Sequence, residues 1–159
     1  MTDTKKYQKA LEHLNELIKL FPNTWMYYFQ RGIAYYNLKN YDKAIADFSK
    51  AIKLNPNYSS AYYNRGFAYG KVEKYDAAIS DFSKAIELNP NDAEEYNDRG
   101  FAYYNLKKYD KAIADYNKAI ELNPNYLSAY KNRELAYKRM REAERSRSNN
   151  CAPAGILRR

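Results

Sequence analysis

The chain has almost none of the residues on which disulfides and metal sites depend. Its 159 residues include one cysteine, Cys151, and one histidine, His13. A single thiol excludes an intramolecular disulfide, and one cysteine with one histidine cannot supply the ligand set of a structural zinc site. The sequence therefore predicts no metal and no cofactor.

Long apolar runs are also absent. No stretch reaches the length of about 18 apolar residues that would span a bilayer, and the first residues, Met1 to Lys6, lack the apolar segment of an export signal. We therefore expect no membrane span and a cytoplasmic location.

The sequence patterns of catalysis are missing too. There is no glycine-rich phosphate loop and no serine nucleophile turn, and His13 has no second histidine to act with. Acidic residues recur at fixed intervals, as in Asp47, Asp81 and Asp115. Periodic acids are typical of architecture, so the sequence predicts a protein that is not an enzyme.

What the chain does have is a strict period. Pro22, Pro56, Pro90 and Pro124 lie 34 residues apart each time. A period of this length marks a solenoid, in which each repeat buries its apolar face only against its neighbours. Alignment on the prolines gives three full units with partial units on both sides: 25–58, 59–92 and 93–126.

Each unit repeats the same packing columns at helical spacing. In the first unit these columns are Tyr28, Arg31, Gly32, Tyr35, Tyr41, Ala44, Phe48 and Ala51. The spacing predicts a first helix over roughly 26–38 and a second over roughly 41–54, joined by a short connection. We expect Asn55, which precedes a proline, to end the second helix in the left-handed conformation. We also expect Gly32 to allow close approach of the helix backbones at Ala44.

Arginine and aspartate recur in phase across each predicted hairpin. Arg31 and Asp47 are separated by 16 residues, and the next two units repeat the pair as Arg65 with Asp81 and Arg99 with Asp115. An arginine can bind a carboxylate through two parallel hydrogen bonds. The sequence therefore predicts one structural ion pair per unit.

These residues resemble the tetratricopeptide repeat, in the pattern Tyr28, Gly32, Tyr35, Ala44, Phe48, Ala51 and Pro56. The resemblance implies an all-α fold, a right-handed superhelical solenoid of antiparallel helix pairs. It has three full units, an N-terminal half-unit that matches only a second helix, and a C-terminal capping helix. We expect a repeat domain over 1–147 and a disordered tail over 148–159, where periodic apolar residues stop.

In this family the first helices form the inner wall of the superhelix, which implies a groove for an extended peptide. Aromatic rings would give apolar pockets, and side-chain amides would satisfy the peptide backbone. The predicted peptide-binding residues are Phe29, Ile33, Tyr36, Tyr63, Asn64, Phe67, Lys71, Asn97, Phe101, Tyr104, Asn105, Lys131 and Asn132. The alternative interpretation is that these rings pack one first helix on the next.

Two known binding modes of the family can be compared with this groove. Some members hold peptide backbone with an asparagine ladder, and here that column reads Gln30, Asn64, Asp98 and Asn132. Other members clamp the carboxyl terminus of heat-shock chaperones with lysines and asparagines. Glu94 and Asp98 would repel such a carboxylate, so the sequence does not favour a chaperone-terminus clamp and predicts an apolar peptide of mixed charge.

Two other functions remain open beside a protein–protein interaction module. The first is a self-associating structural scaffold, because Leu14, Leu17 and Ile18 lie on a half-unit that no first helix precedes, which predicts a homo-dimer through this end. The second is a basic binder of nucleic acid or an anionic surface. Residues after 130 include nine Lys or Arg and three Glu and so carry most of the net charge of +8. A solvated helix end explains this charge better, so nucleic acid is not the favoured partner.

Overall fold

The computed structural model describes residues 2–150, and these residues form helices joined by short turns, without a strand. The helices alternate between first helices and second helices of successive hairpins, beginning with an unpaired second helix. Their bounds are α1 (Thr2–Leu20), α2 (Trp25–Asn37), α3 (Tyr41–Leu54), α4 (Ser59–Lys71), α5 (Tyr75–Leu88), α6 (Ala93–Asn105), α7 (Tyr109–Leu122) and α8 (Leu127–Asn150).

The predicted architecture is confirmed, and the predicted bounds differ from the observed ones by one residue in the first unit. The capping helix α8 continues to Asn150, three residues beyond the predicted end of the repeat domain. The rest of the predicted tail, 151–159, lies outside the described residues.

The left-handed residue of each unit lies in a different place from the one that the sequence predicts. Asn55 has φ −139° and ψ 86°, an extended conformation that the following proline imposes. Lys39 in the turn of the first hairpin has φ 60° instead, and Glu73 and Lys107 repeat it at 59°. Around Lys39 the backbone forms a Schellman motif, in which the amide of Asn40 donates to the carbonyl of Tyr35 at 2.8 Å.

Each unit closes its core with one large ring. Phe48 of α3 is fully buried between Ala44 of its own helix and Ala68 of the next unit's first helix. The following units repeat this cluster as Phe82 with Ala78 and Ala102, and as Tyr116 with Ala112 and Ala136. Every ring is thus covered by the unit that follows it, which is why a single unit cannot bury its own core.

The mid-helix glycines make room for these rings. A Cβ on Gly66 would lie 2.9 Å from Cε1 of Phe82, and one on Gly32 would lie 2.7 Å from Cε1 of Phe48. The sequence predicted an approach of backbone to Ala44, but the nearest atoms belong to the ring of Phe48. Gly70 is different, because a Cβ there meets no atom within 4 Å.

The predicted arginine–aspartate pairs are confirmed, and each arginine also holds a third helix. Nε and Nη2 of Arg65 donate to Oδ2 and Oδ1 of Asp81, both at 2.7 Å, and Nη1 donates to Oγ of Ser49 at 2.9 Å. Ser49 lies on the second helix of the preceding unit, a contact that the sequence did not predict. The other units repeat the arrangement as Arg31 with Asp47 and Asn15, and as Arg99 with Asp115 and Ser83.

We expect Arg65→Leu to lower the free energy of unfolding by about 3 kcal/mol, because it leaves the carboxylate of Asp81 buried without its partner. Urea unfolding checks this. Lys74→Leu, which changes an exposed lysine in the turn, is the control and should cost far less. Equal losses in the two variants would show that the arginine clamp is not a main source of stability.

Candidate functional site

The first helices α2, α4, α6 and α8 form one face of the solenoid, which we call the inner face. From α4 to α8 their side chains meet in one register, in which a residue contacts the residue 35 positions later. Three hydrogen bonds follow this register: Tyr63 Oη to Asp98 Oδ2 at 2.8 Å, Asn132 Nδ2 to Asn97 Oδ1 at 3.0 Å and Arg139 Nε to Tyr104 Oη at 3.4 Å. The inner face is therefore a continuous surface and not a set of separate helices.

Several of the predicted groove rings take part in the core. The ring of Phe29 lies 5.7 Å from that of Phe48 and 5.0 Å from that of Tyr58. Tyr36 packs edge-on against Tyr41 at 5.4 Å. The contacts with Phe48 and Tyr41 lie within one hairpin, so they differ from the alternative interpretation, in which the rings pack one first helix on the next. Only the contact of Phe29 with Tyr58, which precedes α4, reaches the next unit, and only part of each ring faces solvent.

The second unit shows the same double role. The rings of Tyr63 and Phe67 each lie 5.8 Å from Phe82, the buried ring of that unit. In the first unit Ile33 packs against the core of Phe48 in the same way. These residues line the inner face and also pack against the core beneath it.

The predicted amides bond mainly within the protein. Asn64 Nδ2 donates to the carbonyl of Ser60, and Asn105 Nδ2 donates to the carbonyl of Phe101, each at 2.8 Å and one helical turn back. Asn97 is buried and accepts from Asn132. The amides therefore stiffen the inner face, and their remaining hydrogen-bonding capacity is what a peptide backbone would use.

Phe101, Lys71 and Lys131 are the predicted groove residues with the most accessible side chains. Phe101 is 52% exposed, and both lysines are exposed. Exposure of a phenylalanine on an otherwise packed face is the feature that most resembles a contact surface for a partner.

A cavity of about 100 Å³ lies between α4 and α6 beside this phenylalanine. It brings together Phe67, Lys71 and Phe101 from the predicted set. It is also lined by Asp98, Gly70 and Tyr75. The sequence did not predict the last two as site residues, although a signal was present: the column that holds Tyr36 and Tyr104 in the outer units holds Gly70 in the middle one.

The cavity has charges of both signs on its walls. Burial raises the pKa of Asp98 to about 6, while hydrogen bonds from Tyr63 and Asn97 oppose that rise. Burial, together with the neighbouring Asp98, also raises the pKa of the Tyr63 hydroxyl, which stays protonated as the donor of their hydrogen bond. Lys71 also lines the cavity, so its largely apolar lining includes one acidic and one basic side chain.

A second acidic residue on α6 is almost completely buried. Glu95 is 4% exposed, its Oε1 accepts from Oγ of Ser59 at 3.3 Å, and its Oε2 has no hydrogen-bond partner within the described residues. Burial raises the pKa of Glu95 to about 7, and Asp92 adds to the rise. The sequence did not predict the burial of Glu95, although the equivalent positions hold Ala61 and Ala129, both fully buried.

We expect the free energy of unfolding to fall as pH rises from 5 to 8. The folded state holds the proton of Glu95 up to a pKa of about 7, against 4.5 for an ordinary glutamate, so the stabilisation is complete below 4.5 and is lost as pH rises through 7. The loss is on the order of 2 kcal/mol, and the raised pKa of Asp98 acts in the same direction.

Urea unfolding at several pH values checks this expectation. Glu95→Gln keeps the shape of the side chain and removes its titration, so its stability should depend less on pH over that range. An identical slope in the parent and in Glu95→Gln would contradict the assignment.

Family models match this chain along most of its length. A tetratricopeptide repeat model matches residues 25–58, 59–92 and 93–126, and a second tetratricopeptide repeat model matches residues 1–24. The chain belongs to the tetratricopeptide repeat family. Its repeats are of the kind that serve as protein–protein interaction modules, and proteins built from them are generally scaffolds without enzymatic activity. No curated protein sequence matches the chain significantly.

Solved structures of tetratricopeptide repeat proteins share this fold. A crystal structure of MamA is 27% identical and superimposes with a TM-score of 0.81, covering 90% of this chain and 91% of MamA. The first tetratricopeptide repeat domain of Spaghetti (RPAP3), bound to the HSP90 peptide SRMEEVD, is 28% identical with a TM-score of 0.71, over 73% of this chain and 92% of that one. The tetratricopeptide repeat domain of Arabidopsis OM64 is 29% identical and superimposes with a TM-score of 0.69, covering 72% of this chain and 94% of the OM64 domain.

Two further features of the described part of the chain bear on function. Within residues 2–150, no helix combines the length and apolarity that crossing a bilayer requires. In the same part, His, Cys, Asp and Glu side chains do not gather into a group of three or more that could hold a metal ion.

Proposed function

We propose that this protein binds an extended segment of a partner protein along the inner face, centred on α4 and α6. The observation that carries the proposal is Phe101, an exposed ring beside a cavity whose walls hold Lys71 and Asp98. An extended segment gains affinity by placing alternate side chains in such pockets, while polar groups at the rim fix its register. The expected cytoplasmic location stays a prediction.

A similar solved structure supports the binding of a peptide, but the charges on the inner face of this chain favour a peptide of different chemistry. The Spaghetti (RPAP3) domain holds the HSP90 peptide SRMEEVD, which is rich in acidic residues. Here Glu94 is exposed at the start of α6 and Asp98 follows one turn later on the same helix. These acids disfavour an acidic peptide at this place, and the exposed Lys71 and Lys131 on the adjoining helices favour a segment with apolar residues and charges of both signs.

Peptides selected from a displayed random library against the intact protein would test the proposal. We expect Phe101→Ala to weaken the selected peptides at least about tenfold, with unchanged helical circular dichroism. Phe101 is changed alone because Phe67 also packs against Phe82, so its truncation would disturb the core.

Phe21→Ala is the matched control, because Phe21 is 53% exposed but follows α1, away from α4 and α6. It should leave the affinity unchanged. Peptides that bind Phe101→Ala as tightly as the parent would contradict the proposal. A steep loss of binding with salt would instead favour attraction to the basic α8.

A second proposed function is self-association through the N-terminal half-unit. Leu14 is buried against the rest of the array, so the open apolar surface is smaller than the sequence predicted. It is concentrated where α1 ends, at Leu20 and Phe21, which are 70% and 53% exposed. Neighbouring exposed apolar side chains of this kind favour contact between copies.

Sedimentation at increasing concentration tests this second function. The parent should form dimers, and Leu20→Lys should remain monomeric at the same concentrations, because a charge would have to be desolvated in the interface. Leu127→Lys is the control, since Leu127 is 71% exposed at the other end of the array. A parent that stays monomeric at high concentration excludes the dimer.

A further inference from the structure

A tyrosine pair joins the two helices of each outer hairpin where the first helix ends and the second begins. The ring of Tyr36 lies 5.4 Å from that of Tyr41 at an angle of 64°, and the ring of Tyr104 lies 5.6 Å from that of Tyr109 at 60°. Rings at this distance prefer such tilted or edge-on contact. The pair is therefore a regular part of the repeat.

The middle hairpin has only one member of this pair. Tyr75 begins α5 as Tyr41 and Tyr109 begin α3 and α7, but the residue that should face it is Gly70. Tyr75 thus lacks the neighbouring ring that its two equivalents have.

The space of the missing ring remains open. A Cβ on Gly70 would meet no atom within 4 Å, whereas the mid-helix Gly66 has the ring of Phe82 at 2.9 Å from the same point. The cavity of about 100 Å³ lies here, with Gly70, Tyr75 and Phe67 among its walls. The rings of Phe67 and Phe101 line the cavity and do not fill it. The ring of Phe67 packs edge-on against Phe82, with the centroids 5.8 Å apart, and Phe101 is exposed to solvent.

We propose that this cavity binds an aromatic side chain of the partner segment, whose ring takes the place of the absent tyrosine against Tyr75. The inference rests on the proposed function and adds that the partner segment places an aromatic residue in this cavity. An apolar protein cavity of about 150 Å³ holds benzene, and this cavity is smaller but open to solvent, so a ring can enter it in part.

The walls fit an aromatic side chain better than an aliphatic or charged one. Phe67, Tyr75, Phe82 and Phe101 supply four rings around the space. Lys71 and Asp98 stand among them with opposite charge, so a charged group brought by the ligand would meet both attraction and repulsion. A neutral aromatic ring carries no charge that would be repelled or that would have to lose its hydration on entering the cavity.

The test uses the full chain and p-cresol, the side chain of tyrosine as a free molecule. We expect p-cresol to shift the amide resonances of Phe67, Tyr75 and Ala102 in a saturable way. Gly70→Tyr restores the ring of the outer units and fills the cavity, so its affinity for p-cresol should fall at least about tenfold. Gly70→Ala is the matched control, because a methyl group leaves most of the space free, and it should bind p-cresol as the parent does.

Folding of the variants is measured by their melting temperatures. Gly70→Ala and Gly70→Tyr should melt at or above the parent, because the outer units accommodate tyrosine at this place and glycine weakens a helix. If Gly70→Tyr melts far below the parent, Gly70→Leu serves as the smaller filling variant in the same titration. The absence of saturable shifts in the parent, or equal binding by the parent and the filled variant, would overturn the inference.

The failure of this inference is distinguishable from the failure of the proposed function. Selected peptides that lose affinity in Phe101→Ala but lack an aromatic residue and tolerate Gly70→Tyr would overturn the aromatic pocket and leave the groove standing. Binding of p-cresol without any peptide that depends on Phe101 would confirm the pocket and contradict the groove.

Discussion

The arrangement of this molecule depends on one buried interaction, the clamp of an arginine on the second helices of two successive hairpins. The guanidinium of Arg65 reaches Asp81 with two nitrogens and Ser49 with the third, so a single planar group fixes three helices in relation to one another. The helix α8, which is the last of the first helices, shows which contacts remain when no second helix follows. Arg133 keeps only the contact to the preceding unit, Asn117 at 2.7 Å, and no hairpin is closed there because no second helix follows within the described residues.

The repeated positions determine the architecture, so we expect the residues with a specific function at positions that differ between units. The clamp, the close glycine and the buried ring recur with nearly constant geometry. Gly70 and Glu95 break their columns, since Gly70 replaces a tyrosine and Glu95 replaces an alanine. Phe101 keeps the residue type of Phe67 but is more exposed than its equivalents Ile33 and Phe67. All three lie on α4 or α6.

The sequence predicted the parts of this structure that depend on distance along the chain. The period and the spacing of Arg31 and Asp47 were sufficient for the helices and for the pair within one hairpin. The contact of Arg65 with Ser49 and the register of the inner face depend on the angle between hairpins, which no local pattern encodes. The left-handed conformation of Lys39 could not be predicted from its residue type either, since lysine, unlike glycine or asparagine, does not favour this conformation. The sequence also did not predict how deeply each ring lies. Phe67 and Phe101 are the same residue in the same column, but Phe67 is partly buried against the core of its unit and Phe101 is exposed.

The helices α4 and α6 carry two features that each reduce stability: an unfilled cavity, and a buried carboxyl with one oxygen that has no hydrogen-bond partner among residues 2–150. The outer units hold a tyrosine in place of Gly70, and the neighbouring units hold an alanine in place of Glu95, so the fold itself does not require these two residues. Local departures of this kind from an otherwise consistent repeat are the pattern expected where binding rather than folding determines the residue. A ligand ring that fills the cavity would supply part of the packing that the middle hairpin lacks. Binding in the cavity and stability are then linked, since any group that binds only the folded array shifts its unfolding equilibrium.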